Sequence, residues 1–188
     1  MKKFNVKLKG VSPFLMAKHP TPDEQANILK RESPSGKSKI KVKDLTNDEA
    51  FEMHSYKTED GKFYLPSEMI ESAMTKAATS FKMEGKKTFK DAFKGGTIVD
   101  PDKIIFKQQN FKSYGKWGVN HNTRGAVWVV RPRIDEWEVE FSLTLLQDER
   151  VSDEILRQIL EYAGLYVGVG AWRPKFGRFE ITKFELYD

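Results

Sequence analysis

Residues 137–145 read WEVEFSLTL. Trp137, Val139, Phe141, Leu143 and Leu145 alternate with Glu138, Glu140, Ser142 and Thr144, the period of two expected of a strand with one apolar and one wet face. Just upstream, AVWVVR at 126–131 is apolar in both phases and predicts a buried strand, paired with the first as a hairpin that turns near Ile134-Asp135. Downstream, Ser152 can cap a helix whose face is Ile155, Leu156, Ile159, Leu160 and Ala163, stopped by Gly164. A last strand at 178–186 carries Phe179 and Ile181 in one phase and Phe184 and Leu186 in the other. That slip predicts a bulge at Thr182-Lys183.

The front half of the chain holds a similar order. Phe4, Val6 and Leu8 alternate with Asn5, Lys7 and Lys9, which predicts a first strand. Ser67 is placed to cap the clearest helix, with Glu68 and Glu71 near its positive end. Met69, Ile70, Ala73, Met74, Ala77, Ala78 and Phe81 form its apolar face. Residues 103–107 read as a short strand. The strong elements thus run strand, helix, strand, strand, helix, strand. This predicts an α+β fold with a ferredoxin-like (RRM-like) split βαβ core, an antiparallel sheet with two helices on one face and long inserted loops.

The chain is read as one domain over 1–188, with insertions at about 12–66 and about 107–125. Within the first, Thr21 and Pro22 open a short helix over 23–31, residues 32–43 form a basic loop, and residues 47–54 a second short helix. Residues 85–93 are basic and irregular, Gly95-Gly96 punctuates the chain, and residues 108–125 form the second long loop.

Composition narrows the function classes. The 188 residues contain no cysteine, which excludes disulfides, thiolate zinc sites and a cysteine nucleophile. No apolar run approaches a membrane span, and the basic opening MKKFNVKLKG lacks a signal-peptide core, so a soluble intracellular protein is expected. The 13 Phe, 6 Tyr and 4 Trp supply enough large apolar area for a core. The net charge of +5 is unevenly spread. Residues 1–48 carry 11 Lys/Arg against 5 Asp/Glu, and residues 75–133 carry 13 against 4, an asymmetry suited to a polyanion-binding face.

His19, His54 and His121 stand in no metal-ligand spacing, so no metal is expected, and neither a GxSxG elbow nor a GxxxxGK[ST] loop occurs to carry acyl transfer or nucleotide hydrolysis. The enzymatic alternative is a metal-independent ribonuclease with His54 or His121 as general base and nearby cations stabilising the phosphorane.

Two stretches combine aromatic and cationic side chains. NFKSYGKWGVNHNTRG at 110–125 interleaves Phe111, Tyr114 and Trp117 with Lys112, Lys116 and Arg124, so rings could stack on unpaired bases while cations track phosphates. YVGVGAWRPKFGRF at 166–179 surrounds Gly168, Gly170 and Gly177 with Trp172, Arg173, Lys175, Phe176 and Arg178. Its glycines follow a helix and precede a strand, which excludes a dinucleotide fingerprint and leaves either a ligand loop or a tight turn with Trp172 and Phe176 plugging the core.

The element order, together with Gly164, Gly168, Gly170 and Gly177 before the last strand, resembles the RAMP superfamily of CRISPR-associated proteins. It is most similar to compact Cas7-like proteins of phages and mobile elements. Tyr64-Leu65-Pro66-Ser67, leading into the first helix, resembles the proline-serine lead-in of many such proteins, without their usual following glycine. The resemblance implies an RRM-like core with a long insertion and sequence-tolerant binding of single-stranded DNA or RNA, DNA ahead of RNA. It further implies head-to-tail homo-oligomers and no cofactor. The expectation is a non-enzymatic binding protein. Lys112, Lys116, Arg124, Arg131, Arg133, Arg173, Lys175 and Arg178 would hold phosphates, Tyr114, Trp117 and Trp172 would stack bases, and Gly168, Gly170 and Gly177 would shape the loop. Partners would include components of a phage replication, recombination or CRISPR-like complex. The alternatives are a Cas6-like endoribonuclease and a phage assembly subunit whose basic face meets an acidic protein.

Overall fold

The computed structural model describes residues 1–24, 45–83, 85, 87–119, 124–146 and 151–187. These fall into two compact units: one of residues 1–15, 56–110 and 134–188, the other of 16–55 and 111–133. The second unit draws on both stretches read as insertions.

The first unit holds β1 (Lys2–Gly10), β2 (Phe14–Leu15), β3 (Tyr64–Pro66), α2 (Ser67–Ala77), α3 (Lys90–Gly96), β4 (Thr97–Asp100), β5 (Lys103–Ile105), β8 (Glu138–Leu145), α4 (Asp153–Tyr162) and β9 (Phe179–Leu186). The second holds α1 (Asn47–Met53), β6 (Lys112–Val119) and most of β7 (Ala126–Ile134). Four strands form an antiparallel sheet in the order β4-β8-β1-β9, the split βαβ arrangement expected from the order of strong elements.

The helices cover one face. Phe4, Val6 and Leu8 of β1 and Val139, Phe141, Leu143 and Leu145 of β8 are buried, as are Ile70, Ala73, Met74 and Ala77 of α2 and Leu156, Ile159 and Leu160 of α4. Each of the large aliphatic side chains contributes about 1.5 to 3 kcal/mol on burial. Trp137 is fully enclosed with Phe14, Phe106 and Phe179 around it, and its indole N–H donates to the Ser12 carbonyl at 2.9 Å. The bulge in β9 is present. Lys7 pairs with Lys183 and Leu8 with Ile181, which leaves Thr182 between them to donate its hydroxyl to the Lys7 carbonyl at 3.2 Å.

Several elements differ from expectation. The second core strand is β4, not residues 103–107; β5 instead pairs with β3. A four-residue edge strand with only Thr97 and Val99 turned inward carries too short a pattern to read. Strand β7 does not pair with β8, because both edges of β8 are taken by β1 and β4. Its ladder is with β6, inside the stretch expected to be a loop.

Residues 90–93, within the stretch at 85–93 expected to be irregular, and the punctuating Gly95-Gly96 all fall in α3. Helix α2 begins at Ser67 without a side-chain cap, and Glu71 accepts the β4 Val99 N–H at 3.0 Å. Helix α4 is capped by Ser152 but runs on through a wide turn at Ala163–Val167. Gly164 does not stop it but lets it meet β9, since a Cβ there would sit 2.2 Å from the Phe179 carbonyl oxygen. Thr21 caps the Glu24 N–H as expected and Glu24 accepts the Thr21 N–H in return, while the rest of the helix read at 23–31 and the loop at 32–43 lie outside the described residues. Helix α1 carries a capping box of Thr46 and Glu49.

Candidate nucleic-acid interface

In the second unit, β6 and β7 form a hairpin whose alternation sorts its side chains by face. Cross-strand register places Lys112 opposite Arg133, Tyr114 opposite Arg131 and Lys116 opposite Val129 on one face. Trp117 opposite Trp128 and Gly115 opposite Val130 lie on the other. Tyr114 and Trp117 are an odd number of residues apart, so they cannot share a face. The Arg133 guanidinium lies 5.0 Å from the Tyr114 ring centroid. The sequence therefore delivers not one mixed surface but two: a cationic face with one tyrosine, and a tryptophan face.

On the tryptophan face the two rings meet edge to face, with centroids 5.4 Å apart and planes at 67°. Trp117 is 65% exposed and Trp128 45%. The Trp128 ring lies over Gly115, where a Cβ would fall 2.1 Å from the ring, and its N–H donates to Asn47 Oδ1 at 3.0 Å. Trp128 escaped the sequence reading because the surrounding AVWVV resembles a core strand. In fact only Val130 of those flanking valines is buried, since β7 has β6 beside it in a ribbon rather than the main sheet.

Arg131 is among the residues expected to hold phosphates. It is half buried, and its Nε and Nη1 are enclosed with no hydrogen-bond partner among the described residues. Burial holds its guanidinium below its ordinary pKa. Arg124, exposed and in the left-handed region at φ 54°, stands just before β7.

His54 follows α1 in the same unit. Its Nδ1–H donates to the Lys18 carbonyl at 2.8 Å, and burial, reinforced by the Arg131 and His19 charges, pushes the imidazole below the ordinary 6.5. The folded chain thus holds His54 neutral at a pH where the unfolded chain protonates it. Stability is therefore present above about pH 6.5 and falls as pH drops through 6.5 toward the lowered folded value. We expect the melting temperature to fall with acidification in this window, and His54→Gln to reduce that fall. A variant whose Tm tracks the native one at every pH would show that His54 titrates alike in both states. His121 lies outside the described residues.

The glycine-rich stretch belongs to the first unit and closes into a platform. The Val169 N–H donates to the Gly177 carbonyl at 2.9 Å, Gly177 N–H to the Pro13 carbonyl at 2.8 Å, and Ala171 N–H to the Leu15 carbonyl at 2.9 Å. Gly170 and Gly177 have φ of 79° and 75°. A Cβ on Gly170 would strike the Leu15 carbonyl and the Phe14 ring, each at 2.5 Å. Phe176 is a core plug, whereas Trp172 is only half buried, with its ring centroid 6.2 Å from that of Phe176. Arg173, Lys175 and Arg178 are exposed on this platform and make no ion pair among the described residues. Gly168 sits at the start of the loop, donating its N–H to the Ala163 carbonyl at 2.8 Å.

The open face of the four-stranded sheet offers little by comparison. Lys7 stands opposite Glu140 and Lys9 opposite Glu138, while Lys7 and Lys107 both reach Glu138, at 3.0 and 3.1 Å. Hydrogen bonds from Lys7 and Lys107 hold the Glu138 carboxyl below its usual range. No outward residue of the four strands is aromatic, although just past β9 the exposed Tyr187 has the Lys3 ammonium 5.6 Å from its ring centroid. Among the described residues no group of three or more His, Asp or Glu could hold a metal, and no helix is long and apolar enough to cross a membrane.

No family model matches the chain, and no curated protein matches it. Among solved structures it is similar to a chain of a Type III-B Cmr-beta complex bound to cognate target RNA, at 11% identity and a TM-score of 0.59. The likeness covers 100% of this chain and 61% of that one, so this chain spans under two thirds of its neighbour's length. It is a likeness of fold.

Proposed function

We propose that this chain binds single-stranded nucleic acid, DNA or RNA, as a sequence-tolerant module without a catalytic step, and that copies line up along the strand. The observation that carries the reading is the β6–β7 hairpin. It presents two exposed tryptophans on one face and Lys112, Lys116 and Arg133 on the other. Unpaired bases offer π-faces to the former and phosphates to the latter. The platform cations Arg173, Lys175 and Arg178 add a second basic surface, and the RNA-bound state of the structural neighbour accords with this chemistry.

The test is fluorescence anisotropy of labelled single-stranded DNA, single-stranded RNA and duplex DNA between about 50 and about 200 mM salt, with chelator present. Single strands should bind more tightly than duplex, with steep salt dependence, and be recovered intact. Absence of binding at the lowest salt would overturn the reading, and strand scission in chelator would replace it with a nuclease.

Each phosphate neutralised on a single strand contributes about 0.7 to the slope of log K against log salt. Replacing Arg173 and Lys175 with Ala should therefore lower that slope by about 1.4. An unchanged slope would remove the platform from the binding surface.

A further inference from the structure

Beside the glycine-rich platform, in the first unit, lies a cavity of about 250 Å³ lined by Tyr56, Pro66, Glu68, Met69, Ser72 and Arg173. Gly170 of the platform closes one side. This is below the roughly 300 to 1,000 Å³ of a site for a drug-sized ligand and on the scale of one nucleobase.

Its charges are arranged unusually. Glu68, on the first turn of α2, and Arg173 are both exposed, and neither makes an ion pair or hydrogen bond among the described residues. They line the same small space without pairing with each other. A guest with N–H donors at one end and an anion at the other can engage both. The surfaces between are suited to a flat ring: Pro66 and Met69 are apolar, and Tyr56 is half buried, with burial raising its phenol pKa and keeping it neutral.

We propose that this cavity takes one guanine nucleotide of the bound strand, an inference that rests on the nucleic-acid reading above. A carboxylate only accepts hydrogen bonds, and has two oxygens to do so. Guanine is the one standard base whose Watson–Crick edge offers two neighbouring donors, N1–H and the N2 amino group, to a single carboxylate. Adenine and cytosine present one amino group there, and thymine and uracil one ring N–H. Glu68 thus takes the base edge and Arg173 the phosphate, and binding that is otherwise sequence-tolerant gains a preferred register wherever a guanine occurs.

The experiment compares the full chain on three thymidine strands: one with a central guanine, one with hypoxanthine in its place, and one with neither. Hypoxanthine lacks only the N2 amino group. The guanine strand should bind about tenfold more tightly than the hypoxanthine strand, the discrimination expected of a lost bidentate base contact. Glu68→Gln should bring the two to equal affinity. Equal binding of the guanine and hypoxanthine strands by the native chain, with the thymidine strand also bound, would overturn the guanine pocket and leave the nucleic-acid reading standing. Failure to bind any of the three would overturn both.

Discussion

Replacing Trp117 and Trp128 together with Ala should weaken binding of a single strand by at least about thirtyfold. Stacking on an aromatic side chain contributes about 1 to 3 kcal/mol per base, so the loss of two rings costs about 2 kcal/mol at the lower bound. The two indoles are set nearly perpendicular, at 67°, so one base cannot cover both faces and the contributions fall on different bases. The corresponding Phe pair should recover much of the affinity, because it keeps the π-surface while losing the Trp128 bond to Asn47. A titration that finds the Ala pair as tight as the native chain would move the binding surface away from the hairpin. Circular dichroism of each variant distinguishes lost stacking from a lost hairpin, and Trp128 is the residue to watch, since its ring rests on the Gly115 backbone.

The largest effect on stability is expected from Gly177→Ala. A Cβ there would lie 1.7 Å from the Val169 carbonyl oxygen and 2.7 Å from its carbon, at a φ of +75° that already disfavours a side chain. Both obstacles are backbone, so no rotamer change relieves them. The loop must instead open, which sacrifices the Val169–Gly177 and Gly177–Pro13 hydrogen bonds. Strain at such a position costs about 1 to 3 kcal/mol and each lost hydrogen bond about 1 kcal/mol. The sum, about 3 to 5 kcal/mol, should lower the melting temperature by on the order of 10 °C for a chain of this length. Gly95→Ala is the control. It lies in α3 with nothing within 4 Å of its added Cβ, and should leave stability unchanged or slightly higher. Equal melting temperatures for the two variants would mean that the platform is not closed in solution.

The two candidate surfaces were unequally legible. The glycine-rich platform could be located from sequence, since glycines between a helix and a strand imply a chain reversal at close quarters. Its cations stand exposed on it. The hairpin could not. No residue of β6 is buried, so no apolar period of two exists to mark it as a strand, and its glycines and lysines resemble those of a loop. Trp128 was hidden for the converse reason: an apolar string looks the same whether it enters a core or one side of a ribbon. Glu68 gave no signal of its own, as an acidic residue in the first turn of a helix is ordinary until an unpaired arginine is found across the same cavity.

Local pattern was sufficient for whatever one face of one element expresses. The alternation at 137–145, the helical faces after Ser67 and Ser152 and the phase slip in β9 are all short-range properties, enforced because each apolar stripe must be buried. Pairing is different. Which strand lies beside which depends on how many edges each has left, and that is settled among segments far apart in the chain. Thus β8 joins β1 and β4, β7 turns to β6, and the aromatic and cationic residues of one short stretch separate onto opposite faces. A side chain's partner across a sheet or cavity is a property of the folded chain, because proximity there is made by the packing of elements and not by spacing along the sequence.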